Sequence, residues 1–338
     1  MVKTERQLTP EPAPCVDDST TGQVRDIGGG AISQCIKNEL NESISLGKYL
    51  GKEVCYIDSP WPGGETSDQS LGERRILSEE ASELAQQFYP LSDLTIFDLG
   101  SGDSEKLLPL LDELERLEKR CHYMAVDVNR ASLESHVQKL TERYMHIKCS
   151  GLYGSFEDAR KVAMNMPGMK IGISCSSTLT NFKPAKVCQI LQSCNQVMDQ
   201  FILGQHEPVD DEALEKSYHT DQFIAFMKNG WYEANNILGR KEFDDRRWTL
   251  QCKTTGSPQC HMFRVIPSHD NSQASAFDWF ACYKYTLSEF KDTIQKAGWK
   301  VSKCYRDKCI RMSMYNVIPA NKASAGPPKD SKLWKSWE

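Results

Sequence analysis

Residues 95–114 read TIFDLGSGDSEKLLPLLDEL. An apolar run stops at Leu99, glycines follow at 100 and 102, and leucines then recur at 107, 108, 111 and 114. The first part has the short apolar character of a strand buried on both faces. The last part has the three-and-four spacing of a helix. A glycine turn between the two belongs at the carboxyl edge of an open α/β sheet, where backbone can approach a ligand closely.

Working outward, further short apolar runs repeat the pattern: LTIFDL (94–99), YMAVDV (123–128), MHIKC (145–149), MKIGISC (169–175) and DQFILG (199–204). Helical patterns separate them, among them Val187, Ile190, Leu191 and Val197. Strand and helix in strict turn predict a doubly wound α/β sheet. Ahead of it, Ile76, Leu77, Ala81, Leu84, Ala85 and Phe88 predict a helix stopped by Pro90. Residues 206 to about 280 break the rhythm, with a polar helix-like segment and then strand-like pieces, the signature of an insertion. A helix at 287–299 and the strands KVSKCYR and IRMSMYNVI, joined by a turn around DKC, close the sheet as a hairpin.

Composition narrows the function classes. The 338 residues are 39% apolar, enough for a sizeable core, and 41 Lys+Arg against 46 Asp+Glu leave a formal charge of −5. No basic run tracks a phosphate backbone or an anionic membrane, so nucleic-acid and membrane partners are not expected. No apolar stretch approaches ~18 residues and the first residues lack a secretion-signal core, which points to a cytoplasmic protein. The 13 cysteines are scattered, without a Cys-x-x-Cys pair, and read as reduced thiols. Neither Cys304 with Cys309 nor Cys188 with Cys194 has a second ligand set nearby, so no metal is expected.

The turn GSGDSEK lacks the third glycine of a dinucleotide fingerprint and the Lys-Ser/Thr ending of a P-loop. Asp127, at the end of the next strand, stands 25 residues beyond Gly102, placed to accept bonds from a ribose diol. A glycine turn and a ribose-reading acid without a phosphate cradle suit S-adenosylmethionine. A strand-end carboxylate satisfied by a helix N-terminus is the alternative for Asp127.

In order, DLGSGDSEK, YMAVDVN, GLYGSFEDA, SCSSTLTNF and SYHTDQFIAFMKN resemble the histidine-specific methyltransferases of ergothioneine synthesis, and especially their fungal dimethylallyltryptophan N-methyltransferase branch. The resemblance runs from about residue 73 to 318, and VRDIGGG (24–30) also looks like the opening of the fungal members. It implies a Rossmann-like class I methyltransferase sheet with an inserted accessory substrate-binding domain. The expected organisation is a disordered tail at 1–22, the N-terminal part of an accessory or lid region at 23–72 and the donor-binding core at 73–205. An accessory insertion follows at 206–282, then the rest of the core at 283–320 and a flexible tail at 321–338.

The resemblance further implies S-adenosyl-L-methionine as cofactor, lined by Gly100, Gly102 and Lys106, with Asp127 at the ribose and Ser155 and Phe156 flanking the adenine. Ser155 stands where the family has an acid, which weakens the bond to the adenine amine. Asn181 and Tyr218 are the implied catalytic positions, gripping the acceptor's amino and carboxylate groups; their alternatives are a cap for the helix near Pro184 and an ordinary helix-face aromatic. Met262, Phe280 and Cys282 fall on the acceptor pocket.

Two departures carry information. A family strand reading roughly Glu-x-Ser-x-Lys-Tyr is FACYKY here, so Phe280 and Cys282 replace the glutamate and serine that face an imidazole. A buried imidazole N–H left without an acceptor costs about 1–3 kcal/mol, which disfavours histidine. A larger aromatic side chain stacking on Phe280 gains about 0.5–1.5 kcal/mol beyond burial. Core packing is the alternative reading of Phe280. In the lid, Ser67 and Asp68 replace two family tyrosines, while Ser70, Glu73, Ile76 and Leu77 keep the pattern; Trp61 is a candidate replacement aromatic, and Asp68 could face a cationic amine. These readings lead to N-methylation of the α-amino group of tryptophan or a prenylated tryptophan in fungal alkaloid metabolism, by a monomer or homodimer. The alternatives are another secondary-metabolite amine, hydroxyl or thiol as acceptor, or a donor-binding relative without turnover.

Overall fold

The structure, a computed structural model, describes residues 20–57, 68–91, 93–102, 105–175, 177–269 and 273–321. Trp61 and Ser67, both singled out above, lie outside them.

Eight strands form the main sheet. Val24–Asp26 (β1), Leu94–Leu99 (β2), Cys121–Asp127 (β3), Ile147–Tyr153 (β4), Lys170–Ser174 (β5) and Gln200–His206 (β6) are joined by Trp299–Asp307 (β10) and Met312–Pro319 (β11). The spatial order is β1-β4-β3-β2-β5-β6-β11-β10. β1 to β6 pair in parallel, while β11 runs antiparallel to β6 and to β10. All six residues of β2 are buried, and their side chains alternate between two cores. Leu94 and Ile96 pack with the helices Asp68–Phe88 (α2), Leu108–Arg116 (α3) and Arg130–Arg143 (α4). Phe97 and Leu99 pack on the other side with Phe156–Met164 (α5), Pro184–Asn195 (α6) and Leu287–Lys296 (α9). This is the doubly wound α/β arrangement expected from the sequence.

Local chemistry sets the helix ends. Asn129 caps α4 through its side chain, and Ser155 with Asp158 and Thr286 with Glu289 form capping boxes on α5 and α9. α2 stops at Phe88, two residues before Pro90.

A second body stands over the carboxyl end of the sheet. Its strands Trp248–Thr255 (β7), Gln259–Pro267 (β8) and Phe277–Lys284 (β9) form an antiparallel three-stranded sheet. Two sequence-distant stretches share its core: Leu40 of the helix Gly29–Leu46 (α1) and Val54 of a 3-10 turn at Lys52–Cys55 pack with Trp231, Phe243, Trp248 and Trp279. The polar segment near 211–238 is two helices, Asp211–Tyr218 (α7) and Asp221–Leu238 (α8), divided where Thr220 caps α8.

Two boundary expectations are corrected. Residues 20–22 were placed in a disordered tail, yet Gly22 N–H donates to the Cys149 carbonyl at 2.8 Å. Residues 24–26 were assigned to the accessory region, but β1 extends the main sheet beside β4. Among the described residues no helix is long and apolar enough to cross a membrane.

Candidate active site

In an open α/β sheet the ligand crevice opens at the carboxyl ends of the strands where the winding reverses. Here that point lies between β2 and β5, since β3 and β4 lie on one side of the pair and β6 on the other. Gly100 leaves β2 with φ +76°, and a Cβ there would meet Thr178 Cγ2 at 2.4 Å. Only glycine lets the two turns close on each other at that point. Gly102 also has positive φ, and its N–H donates to Asp127 Oδ2 at 2.9 Å. Asp127 Oδ1 accepts from Asn129 N–H at 2.9 Å. Asp127 thus satisfies the start of α4, and with Gly102, Asn129 and Val128 as backbone donors it keeps lone-pair capacity for a further hydroxyl. Burial raises its pKa, opposed by those backbone hydrogen bonds.

Gly100, Gly102, Lys106, Asp127, Ser155, Phe156, Asn181, Tyr218, Phe280 and Cys282 all line one cleft of about 730 Å³, within the ~300–1,000 Å³ typical of small-molecule sites. Lys106 Nζ lies 3.4 Å from the fully buried Glu73 carboxylate. The Ser155 hydroxyl donates to Asp158 Oδ2 at 2.6 Å while accepting from Asp158 N–H, so it is committed to its cap. Phe156 meets Phe182 edge-on at 6.0 Å. With Asp127 able to accept from a ribose hydroxyl, a ring at Phe156 and a tight glycine turn, these residues fit a nucleoside. Asp68 opens α2 at the exposed margin of the cleft.

The other half is walled by aromatic rings. Phe280 has Phe223 at 5.6 Å, Phe263 at 6.0 Å, Tyr56 at 6.3 Å and Phe226 at 6.4 Å. It is therefore both packed in the accessory core and exposed to the cleft. Asn181 does not cap α6, whose N-cap is Lys183; its Oδ1 instead accepts from Tyr283 N–H on β9 at 3.2 Å. Tyr218 is hydrogen-bonded to Cys282, and burial raises its pKa, so the phenol stays protonated. Met262 stands apart from the cleft. Strand alternation puts His261 and Phe263 on the face of Phe280, whereas Met262 pairs with Ala281 and packs with Cys260 on the opposite face.

Sequence reasoning missed two lysines. Lys52 Nζ donates to the Thr178 carbonyl at 2.9 Å and lies 5.3 Å from the Phe182 ring centre. Lys284 Nζ lies 2.6 Å from His206 Nδ1 and 5.5 Å from the Tyr218 ring centre. His206 Nε2 faces the Ile310 carbonyl at 2.9 Å, which can only accept, so Nε2 carries the proton and Nδ1 accepts from Lys284. Burial, and then the Lys284 charge, pull His206 down to about 3 and keep it neutral. Burial pulls both lysines down to about 8, against the pull of Glu53 on Lys52 and of Cys282 on Lys284. Among the described residues neither ammonium has an ion-pair partner. Lys284 was visible as the penultimate residue of FACYKY; Lys52, with Tyr56 nearby, sits in GKEVCYID, which carries no recognisable motif.

A family profile described as histidine-specific, SAM-dependent methyltransferase matches residues 69–318. The 4-dimethylallyltryptophan N-methyltransferase of Epichloe festucae var. lolii is 36% identical over 296 residues, covering 72% of this chain and 81% of that protein. Ergothioneine biosynthesis protein 1 of Neurospora crassa is 30% identical over 300 residues, 79% of this chain but 33% of that protein. N-methyltransferase fsqC of Aspergillus fumigatus is 28% identical over 165 residues, 46% of this chain and 44% of that protein. The matched region therefore spans less than half the length of the last two relatives.

Proposed function

This chain belongs to the histidine-specific, S-adenosylmethionine-dependent methyltransferase family, and on that footing we propose that it methylates the α-amino group of tryptophan or a prenylated tryptophan. The fungal alkaloid setting is part of the same reading. The observation that carries it is Phe280, an apolar ring set among Tyr56, Phe223, Phe226 and Phe263, at the position where the resemblance implies a glutamate in histidine-specific members. Such a wall stacks an indole and leaves an imidazole N–H without an acceptor. The names of relatives that act on 4-dimethylallyltryptophan support the same acceptor class.

S-adenosylmethionine supplies a methyl group already activated on a sulfonium sulfur. The chain's own work is to bind, align and desolvate. Asp127 anchors the donor's ribose, with Ser155 and Phe156 at its adenine end. Lys52 and Lys284, without ion-pair partners among the described residues, complement the acceptor's α-carboxylate. Two nearby ammonium groups and burial in the cleft also disfavour the protonated amine, so the nitrogen presents its lone pair. Asn181 and Tyr218 would orient it toward the donor's methyl group, which an in-line transfer requires.

Incubation with donor and a panel of amino acids, read by mass spectrometry, tests this. Mono- to trimethylated aromatic amino acid is expected, with histidine about tenfold poorer or worse. Preferential methylation of histidine, or no S-adenosylhomocysteine from any aromatic amino acid, overturns the reading. Asp127→Ala should weaken S-adenosylhomocysteine binding about tenfold or more; unchanged affinity in calorimetry moves the donor site elsewhere.

A further inference from the structure

Outside the cleft, three potential metal ligands from separate elements converge. His219, the residue after α7, places Nε2 3.1 Å from His261 Nε2 and 3.0 Å from Cys252 Sγ. Among the described residues these three ligand atoms all lie within 4.8 Å of one another. The sheet register explains two of them. Cys252 of β7 pairs with Phe263 of β8, so Cys252 and His261 are diagonal neighbours on one face. His219 comes down onto that face from the break between α7 and α8.

Hydrogen bonding alone accounts poorly for this meeting. His219 Nε2 offers either one proton or one lone pair, so it cannot make full hydrogen bonds to both His261 Nε2 and Cys252 Sγ. A zinc ion bound at ~2.0–2.1 Å to nitrogen and ~2.3 Å to sulfur would hold tetrahedral ligands roughly 3.3–3.6 Å apart. The two spacings that involve His219 are about 0.2–0.6 Å shorter, a gap that small side-chain rotations close. Thr254 Oγ1 lies 3.3 Å from His261 Nδ1, engaging the second ring nitrogen and leaving Nε2 to the cluster, as outer partners of metal-bound imidazoles do. Cys252 and His219 are exposed and His261 is buried, so an ion could enter from solvent and keep one position for water.

The geometry points to a zinc-binding site formed by His219, Cys252 and His261. Two imidazoles and one thiolate select a borderline-soft, tetrahedral ion over magnesium or calcium. The site lies directly behind the acceptor wall. The His261 ring stacks on Tyr218 with centroids 5.3 Å apart and planes 22° from parallel. A bound ion therefore pins the α7–α8 break, and Tyr218 with it, against the accessory sheet.

The test uses the full chain, reduced and stripped of metal by chelator dialysis. Zinc titration against a chromophoric competitor should give one tightly bound equivalent. Cobalt(II) should give tetrahedral d–d bands and a thiolate charge-transfer band. Cys252→Ser should abolish the charge-transfer band and weaken zinc binding on the order of 100-fold, and His219→Gln should weaken it while keeping that band. Cys309→Ser, at another exposed thiol, should change neither. Zinc should slow amide hydrogen exchange around residues 218–221 in the wild type but not in Cys252→Ser. No stoichiometric binding, a Cys252→Ser protein that binds like the wild type, or loss of binding in Cys309→Ser each overturns the proposal.

Discussion

Lys284 is the residue whose charge state most directly shapes the acceptor half. Its ammonium, drawn down to about 8 by burial, is the form that attracts a carboxylate. Anion binding requires the proton, so affinity is level below pH 8 and falls above it by up to about tenfold per unit for each lysine involved. An aromatic carboxylate lacking the amine isolates the effect, because only the protein then titrates. Calorimetry in the presence of S-adenosylhomocysteine should show that fall, and Lys284→Met should bind about tenfold more weakly at pH 7 with a shallower alkaline limb. Constant affinity from pH 7 to 10 defeats the assignment. Asp127 was legible because a motif and a strand end fixed its position. Lys52 was not, because its place depends on a 3-10 turn folding onto the core from 126 residues away from Thr178. Met262 was misplaced because one step along a strand moves a side chain to the other face of its sheet.

Elements were read best where burial is two-sided. β2 to β6 announced themselves as apolar runs, and α2 ended near the proline that stops it. β1 is only three residues long, too short for any periodicity to register. The α7–α8 break was missed because polar helix-like sequence runs through it, although Thr220 is an ordinary capping residue. Ser155 provides a test at this scale. Its hydroxyl is spent on the α5 capping box, so Ser155→Ala should cost about 1 kcal/mol of stability. Chemical denaturation should show that loss, while donor affinity changes by less than about twofold, far below the loss of a charged hydrogen-bond partner. A large loss of donor affinity at unchanged stability reverses the order of its two roles.

At the scale of the molecule, buried thiols and buried amines pull stability in opposite directions with pH. Burial pushes Cys121, Cys149 and Cys194 up to about 12, and raises Cys55 and Cys175 as well. Above pH 9 the unfolded chain sheds those protons and the fold keeps them, so stability falls by up to about 1.4 kcal/mol per unit for each thiol. Lys52 and Lys284 act oppositely between about 8 and 10.5, where the unfolded chain holds protons that the fold has lost. Burial raises Cys252, Cys260, Cys282 and Cys304 as well, so the thiols largely offset the two lysines near pH 8 and outweigh them above pH 9. Under reducing conditions, denaturation midpoints should therefore drop steeply above pH 9; midpoints that hold level or rise between pH 9 and 10 contradict this. The accessory body's composition from two distant stretches was only half visible in the sequence, since α1 and α8 join through tertiary contact that no local pattern records.

Lys52 belongs to the accessory body, yet its proton is held by the Thr178 carbonyl, and the Thr178 methyl rests against Gly100 in the donor turn. On the proposed assignment, an incoming carboxylate that draws this ammonium away would withdraw a support from the turn that would hold the nucleoside. Occupancy of one compartment would then be linked to affinity in the other, and thermodynamic reciprocity requires the same factor in both directions.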